Sequence, residues 1–199
     1  MRTDLLLYVT LLIFLLSGSL CQSEELICLT DLGTLGGNNS LANGINDAGQ
    51  IIGWSHTLDG ESHAFLWENV TDGMQDLDTL GGSDSFAYGI NEAGQIVGAS
   101  SILMTSDEFH AVLWENGESA PKNLGTLGGG ESEAFGINDA GQIVGASNIS
   151  VDEFHAVLWE NGESAPEDLG TLESGIKSVA LWINNAGQIV GWSDITPDD

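Results

Sequence analysis

The chain is built from repeats, and their period limits the folds open to it. The block Gly-Ile-Asn-Asp-Ala-Gly-Gln-Ile-Ile-Gly-Trp-Ser at 44–55 returns at 89–100, at 136–147 and, with Trp182 for the first glycine, at 182–193. Its asparagines, Asn46, Asn91, Asn138 and Asn184, stand 45, 47 and 46 residues apart. A second block, Asp-Leu-Gly-Thr-Leu-Gly-Gly at 31–37, has variants at 76–82, 123–129 and 168–172. A third, His-Ala-Phe-Leu-Trp-Glu-Asn at 63–69, returns at 110–116 and 155–161, with Val112 and Val157 for Phe65.

Each block has a physical reading. In Ile-Asn-Asp-Ala-Gly-Gln-Ile, apolar residues flank a short polar segment that ends in glycine. This predicts a hairpin on a type I turn, with Gly49, Gly94, Gly141 and Gly187 in the left-handed position. The leading asparagine can bond the backbone ahead of it. The acid that follows (Asp47, Glu92, Asp139) invites a calcium-loop reading, but the spaced oxygen ligands of such a loop are missing and Asn185 replaces the acid in the last copy. Asn116-Gly117 and Asn161-Gly162 mark a second turn. Between turns, 85–90, 95–100, 110–114 and 122–127 are rich in β-formers, which predicts four short antiparallel strands per repeat. Ala111, Val112, Leu113 and Trp114 are consecutive, so both faces of that strand are expected to be covered.

Four-stranded meanders at this period predict an all-β, propeller-like array of about four antiparallel blades, the last one incomplete. The leading strand near Leu32 could pair near Ile189 and close the ring. An open arc of blades and a β-trefoil are the alternatives.

The three tracts together resemble the HAF family of extracellular repeats, named for the His-Ala-Phe tripeptide. The likeness runs from about Asp31 to Ser193 and implies an exported protein with a propeller-like array. It brings no catalytic residue with it. The last repeat departs from the pattern: only Val179-Ala180-Leu181-Trp182 echoes the tripeptide tract.

The start of the chain gives the same indication of export. Arg2 precedes the apolar run Leu5 to Leu16, followed by small and polar residues, the build of a secretory signal peptide over 1–23. A single repeat domain would then occupy 24–199, extracellular and secreted, with Cys28 alone or nearly so and no disulfide framework. There are 30 acidic residues against three basic ones, Arg2, Lys122 and Lys177, for a net charge of −27. That balance argues against nucleic acid and against anionic membrane surfaces after signal cleavage. Self-association through open blade edges is a further expectation.

His63, His110 and His155 occur once per repeat and could converge on a transition metal. A repeat copies its structural residues first, so a bond from each histidine to a neighbouring strand is the preferred reading, with no metal and no cofactor. Trp67, Trp114 and Trp159 read as anchors between blades. Trp54 and Trp192, replaced by Ala99 and Ala146 in the other copies, are more open to a sugar-platform reading, but packing is the preferred reading for them too. Asn38, Asn69 and Asn148 begin glycosylation sequons expected in loops or turns. No catalytic constellation is legible, so the chain reads as a binding or surface-structural module, not an enzyme, with its ligand unknown. A carbohydrate-active enzyme using carboxylates at the propeller mouth is the alternative.

Overall fold

A computed structural model describes residues 19–21, 28–103, 106–115, 118–162 and 165–195. The expected signal peptide lies outside these residues except for 19–21, as does the Asn116-Gly117 turn. The chain divides into two compact units, Met1–Gly33 and Thr34–Asp199. In the first, β1 (Ser19–Cys21) pairs antiparallel with β2 (Cys28–Thr30), Cys21 opposite Cys28. The segment around Leu32, where a leading strand is expected, forms no strand. Asp31 Oδ1 accepts the Gly33 N–H at 3.0 Å, and this side-chain turn takes the backbone out of extended geometry.

The described residues of the second unit are all-β. β3 (Gly36–Ile45), β4 (Ile51–Thr57), β5 (Ser62–Trp67) and β6 (Met74–Asp76) lie side by side in that order as one meander. β7 (Ser85–Ile90), β8 (Ile96–Leu103), β9 (Ser106–Trp114) and β10 (Lys122–Asn123) form the second. β11 (Ser132–Ile137), β12 (Ile143–Asn148), β13 (Phe154–Trp159) and β14 (Glu167–Gly170) form the third. A final pair, β15 (Ser178–Ile183) and β16 (Ile189–Ser193), is the incomplete fourth. Each new first strand packs on the first three strands of the blade before it: β7 on β3, β4 and β5, β11 on β7, β8 and β9, β15 on β11, β12 and β13. This is an open, propeller-like array, in which no ladder joins β16 to the first sheet among the described residues. Four units in separate sheets leave no place for a three-fold trefoil.

Local chemistry sets the strand ends. Gly49 donates to Asn46 O at 3.0 Å and has φ +81°, and Gly94, Gly141 and Gly187 repeat the conformation at +77°, +79° and +75°. A side chain there would be strained, which is why the turn keeps glycine. The fourth strand of the second blade ends at Asn123 instead of continuing to residue 127. Asn123 Oδ1 accepts the Gly125 N–H at 2.8 Å, and the chain turns away. The core lies between blades. Ile52, Ala64, Leu66 and Leu77 of the first pack against Ala87, Ile96, Val112 and Trp114 of the second. Val97, Ala111, Leu113 and Leu124 of the second meet Ala134, Ile143, Val157 and Trp159 of the third.

Candidate functional site

The repeated polar side chains are engaged in holding the frame. His63 Nδ1 lies 2.9 Å from both Asp76 carboxylate oxygens, and His155 Nδ1 lies 2.8 Å from Asp168 Oδ1. His110 Nδ1 meets the Asn123 amide, which donates to it at 2.9 Å. Each histidine thus ties the third strand of its own blade to the fourth. The three are not brought together, and no group of three or more His, Cys, Asp or Glu able to hold a metal occurs among the described residues. The hydrogen bond to Asp76 is the largest influence on His63 and raises its pKa above 6.5, against burial, which lowers it.

The turn asparagines form a ladder across blades. Asn46 Nδ2 donates to Asn91 O at 3.2 Å, Asn91 Nδ2 to Asn138 O at 3.1 Å, and Asn138 Nδ2 to Asn184 O at 3.1 Å. The acids beside them do similar work: Glu92 accepts the Asp47 N–H, and Asp139 accepts the Glu92 N–H, each at 3.0 Å. Buried Ser85, Ser132 and Ser178 accept the N–H groups of Ala64, Ala111 and Ala156 in the preceding blade. The indoles of Trp114 and Trp159 are fully buried and donate to Leu77 O at 2.7 Å and Leu124 O at 2.8 Å. Trp67 is half-buried.

Two of the three sequons are not in loops. Asn38 lies within β3, and Asn148 ends β12 with its amide donating to Glu131 Oε2 at 3.1 Å. Asn148 stands opposite Phe154 in the β12–β13 ladder, and Asn38 lies where the β3–β4 register shifts between Gly36 and Ser40. Asn69 does sit in a turn, where its Oδ1 accepts the Thr71 N–H at 2.9 Å.

Residues that differ between blades gather on the first strands, and of these Asn43 is tied into the frame, its Nδ2 donating to Ala87 O at 2.8 Å. β3, β7, β11 and β15 together line a shallow cavity of about 200 Å³, bordered by Ile45, Tyr88, Phe135, Ile137 and Trp182. A row of aromatic rings leads to it. Trp54 meets Phe86 edge-on at 6.1 Å, Phe86 stacks with Tyr88 at 6.5 Å, and Tyr88 meets Phe135 at 5.7 Å. In register, Leu41, Phe86, Glu133 and Val179 share one position of the first strand, and Asn43, Tyr88, Phe135 and Leu181 share another. Glu133 is half-buried. Burial, then the charge of Glu131, raises its pKa. The Tyr88 hydroxyl is raised as well, first by burial and then by Glu133, so the two groups sense each other. Sequence reading passed over these positions because they break the repeat. That same variability, four different residues at one strand position of an otherwise faithful repeat, is the signal that could have found them. Trp192, by contrast, is 47% exposed beside Phe154, with ring centroids 5.8 Å apart.

Fold and site define an all-β repeat protein with a constant frame and variable inner strands. No family model matches the chain, and no curated protein matches it.

Proposed function

We propose that this is a secreted, HAF-type extracellular repeat protein that acts as a binding or surface-structural module, with its ligand held at the inner-strand aromatic row. The observation that carries the reading is a division of labour. Repeated His, Asn, Ser and Trp side chains are tied into the frame, while Phe86, Tyr88, Glu133 and Phe135 vary and cluster. Aromatic faces beside a carboxylate suit a flat, hydroxyl-rich ligand such as a sugar ring. The net charge of −27 argues against nucleic acid and anionic lipid as partners. A glycan array probed with the secreted protein, with and without calcium, tests the proposal. Specific binding that Tyr88→Ala and Phe135→Ala both weaken at least tenfold is the expected result. Binding indifferent to both substitutions would place the ligand elsewhere.

One observation favours a second reading, a carbohydrate-active enzyme. Glu133 has the raised pKa that a general acid needs. Turnover of a glycoside by the wild type, lost in Glu133→Gln, would make that reading the better one.

A further inference from the structure

Glu133 breaks the repeat at a position that is apolar in every other blade, where Leu41, Phe86 and Val179 stand. A half-buried carboxylate there loses solvation, and burial, then the charge of Glu131, raises its pKa. Nothing in the frame offsets that loss. Among the described residues no hydrogen bond or ion pair reaches the Glu133 carboxylate. Glu131, by contrast, accepts the Asn148 amide at 3.1 Å. The cations of the second unit are placed elsewhere: Lys122 stands on the fourth strand β10, and the Lys177 ammonium lies over the Phe154 ring at 5.5 Å.

Aromatic rings surround the carboxylate instead. Phe86 holds the matching place on β7, and Phe135 lies two residues further along β11. The Phe86 and Tyr88 rings are parallel within 4° with centroids 6.5 Å apart, and Tyr88 meets Phe135 at 5.7 Å. The Tyr88 hydroxyl senses the Glu133 charge directly. All four side chains are half-buried, so solvent still reaches them. An aromatic face is the negative side of a quadrupole and a carboxylate is a full negative charge, so both attract a cation. The net charge of −27 adds a field of the same sign. A neutral hydroxyl-rich ring can bond to the carboxylate but leaves its charge unbalanced. A metal ion finds only one carboxylate here and no group of three ligands among the described residues.

We propose that Phe86, Tyr88, Phe135 and Glu133 form a binding patch for an alkylammonium group, carried by a quaternary amine or by an amino sugar. Glu133 balances the positive charge, and the rings pack on the carbon groups around the nitrogen. An organic cation sheds water more readily than a small inorganic one, which suits a half-buried aromatic site. This rests on the reading of the inner strands as the binding site and adds to it the charge of the ligand.

The test is calorimetric titration of the full chain at about pH 7, where an amino sugar stays largely protonated, in about 0.15 M sodium chloride to screen the surface field. Choline is compared with its neutral analogue in which carbon replaces the quaternary nitrogen, and glucosamine with glucose. At least one cation is expected to bind tighter than its neutral counterpart by about tenfold or more, and the tighter cation tells a quaternary amine from an amino sugar. Glu133→Gln keeps the shape, removes the charge and should abolish the preference. Asp59→Asn removes the same charge from the exposed β4–β5 turn and should leave it intact. Tyr88→Leu and Phe135→Leu keep apolar bulk but lose the aromatic face, and each should weaken cation binding by about tenfold. Circular dichroism identical to wild type verifies the fold of every variant. Neutral and charged ligands bound equally, and both weakened by Phe135→Leu, overturn the charge proposal while keeping the inner strands as the binding site. Cation binding that Asp59→Asn weakens as much as Glu133→Gln overturns it as well, since the acidic surface at large would then hold the cation. Failure of both cations to bind overturns it outright.

Discussion

The Asn91 side chain makes four hydrogen bonds. Its Oδ1 accepts the N–H groups of Ala93 and Gln95, and its Nδ2 donates to Gln95 Oε1 and to Asn138 O in the next blade. It is 4% exposed, so truncation leaves these partners without replacement by water. Asn91→Ala is expected to cost about 2–3 kcal/mol in a urea melt, on the scale of several buried bonds lost together. Asn184 holds the same turn at the end of the ladder but is exposed, and Asn184→Ala should cost about 1 kcal/mol or less. Equal losses would show that the contact between blades contributes nothing. His63 gives a residue-scale prediction of another kind. Its pKa is raised by Asp76, so its contribution to stability is fully present below the ordinary value of 6.5 and is lost as pH climbs through the raised one. Asp76 is shifted the other way. Burial pushes it up, but the bonds from His63 and from the Asp78 backbone outweigh burial and lower it, so its contribution fades only as pH falls through a value below 3.8. Together they predict a melting temperature that falls from pH 6 to pH 9. In His63→Gln that pH dependence should be reduced, and thermal melts across this range check it.

Within a blade, the first two strands are fitted to each other by a bulge and a glycine. The ladder between β7 and β8 shifts register between Ala87 and Gly89, and Gly98 lies across from it. A Cβ on Gly98 would sit 1.8 Å from the Phe86 carbonyl oxygen, and Gly53, Gly145 and Gly191 meet the same obstacle at 1.9 Å. Gly98→Ala is therefore expected to cost more than about 3 kcal/mol, outside the range of ordinary point substitutions, and soluble yield with a thermal melt would measure it. A variant as stable as wild type would mean that β7 can slide past its bulge. Much of this element scale was readable in advance. The repeat placed the meanders, and Asn-x-x-Gly placed their first turns, because both depend on local backbone chemistry. The bulge and the short β10 were not readable, since they depend on a carbonyl across the sheet and on a side-chain turn at Asn123. In sequence Trp182 reads as a departure from glycine and as an echo of the third-strand tract, whereas it lies on the first strand β15. Gly89 and Gly136 let the next first strand approach: a Cβ on Gly89 would lie 3.1 Å from Phe135 O, and one on Gly136 3.2 Å from Leu181 O. Trp182 borders no following blade among the described residues and is 65% exposed, so the restriction is lifted there. The inner-strand aromatics were illegible for a related reason: a reading that looks for what repeats sets aside what varies.

Across the whole molecule, stability in such an array is close to a sum of blade and junction terms. The first two junctions share one apolar and hydrogen-bonded pattern and the third keeps a smaller part of it, while the net charge of −27 acts against all of them at once. With only three basic residues in the sequence, ion pairs can neutralise little of that charge. The turn ladder even places Glu92 against the backbone of Asp47, and Asp139 against that of Glu92, so acids recur along one side of the first three blades. Added salt should relieve this repulsion, since the screening length falls from about 30 Å at 0.01 M to about 3 Å at 1 M. The melting midpoint is therefore expected to climb with sodium chloride, by roughly 2–4 °C for each kcal/mol of repulsion removed in a chain of this size. Sulfate also strengthens apolar burial through its exclusion from the surface, whereas screening depends on ionic strength alone. Chloride and sulfate at matched, moderate ionic strength should then give nearly the same rise, most of it complete by about 0.3 M, where the screening length is already shorter than the ~10 Å reached at 0.1 M. A rise seen with sulfate alone would assign the effect to the cores between blades and leave the acidic surface without a part in stability.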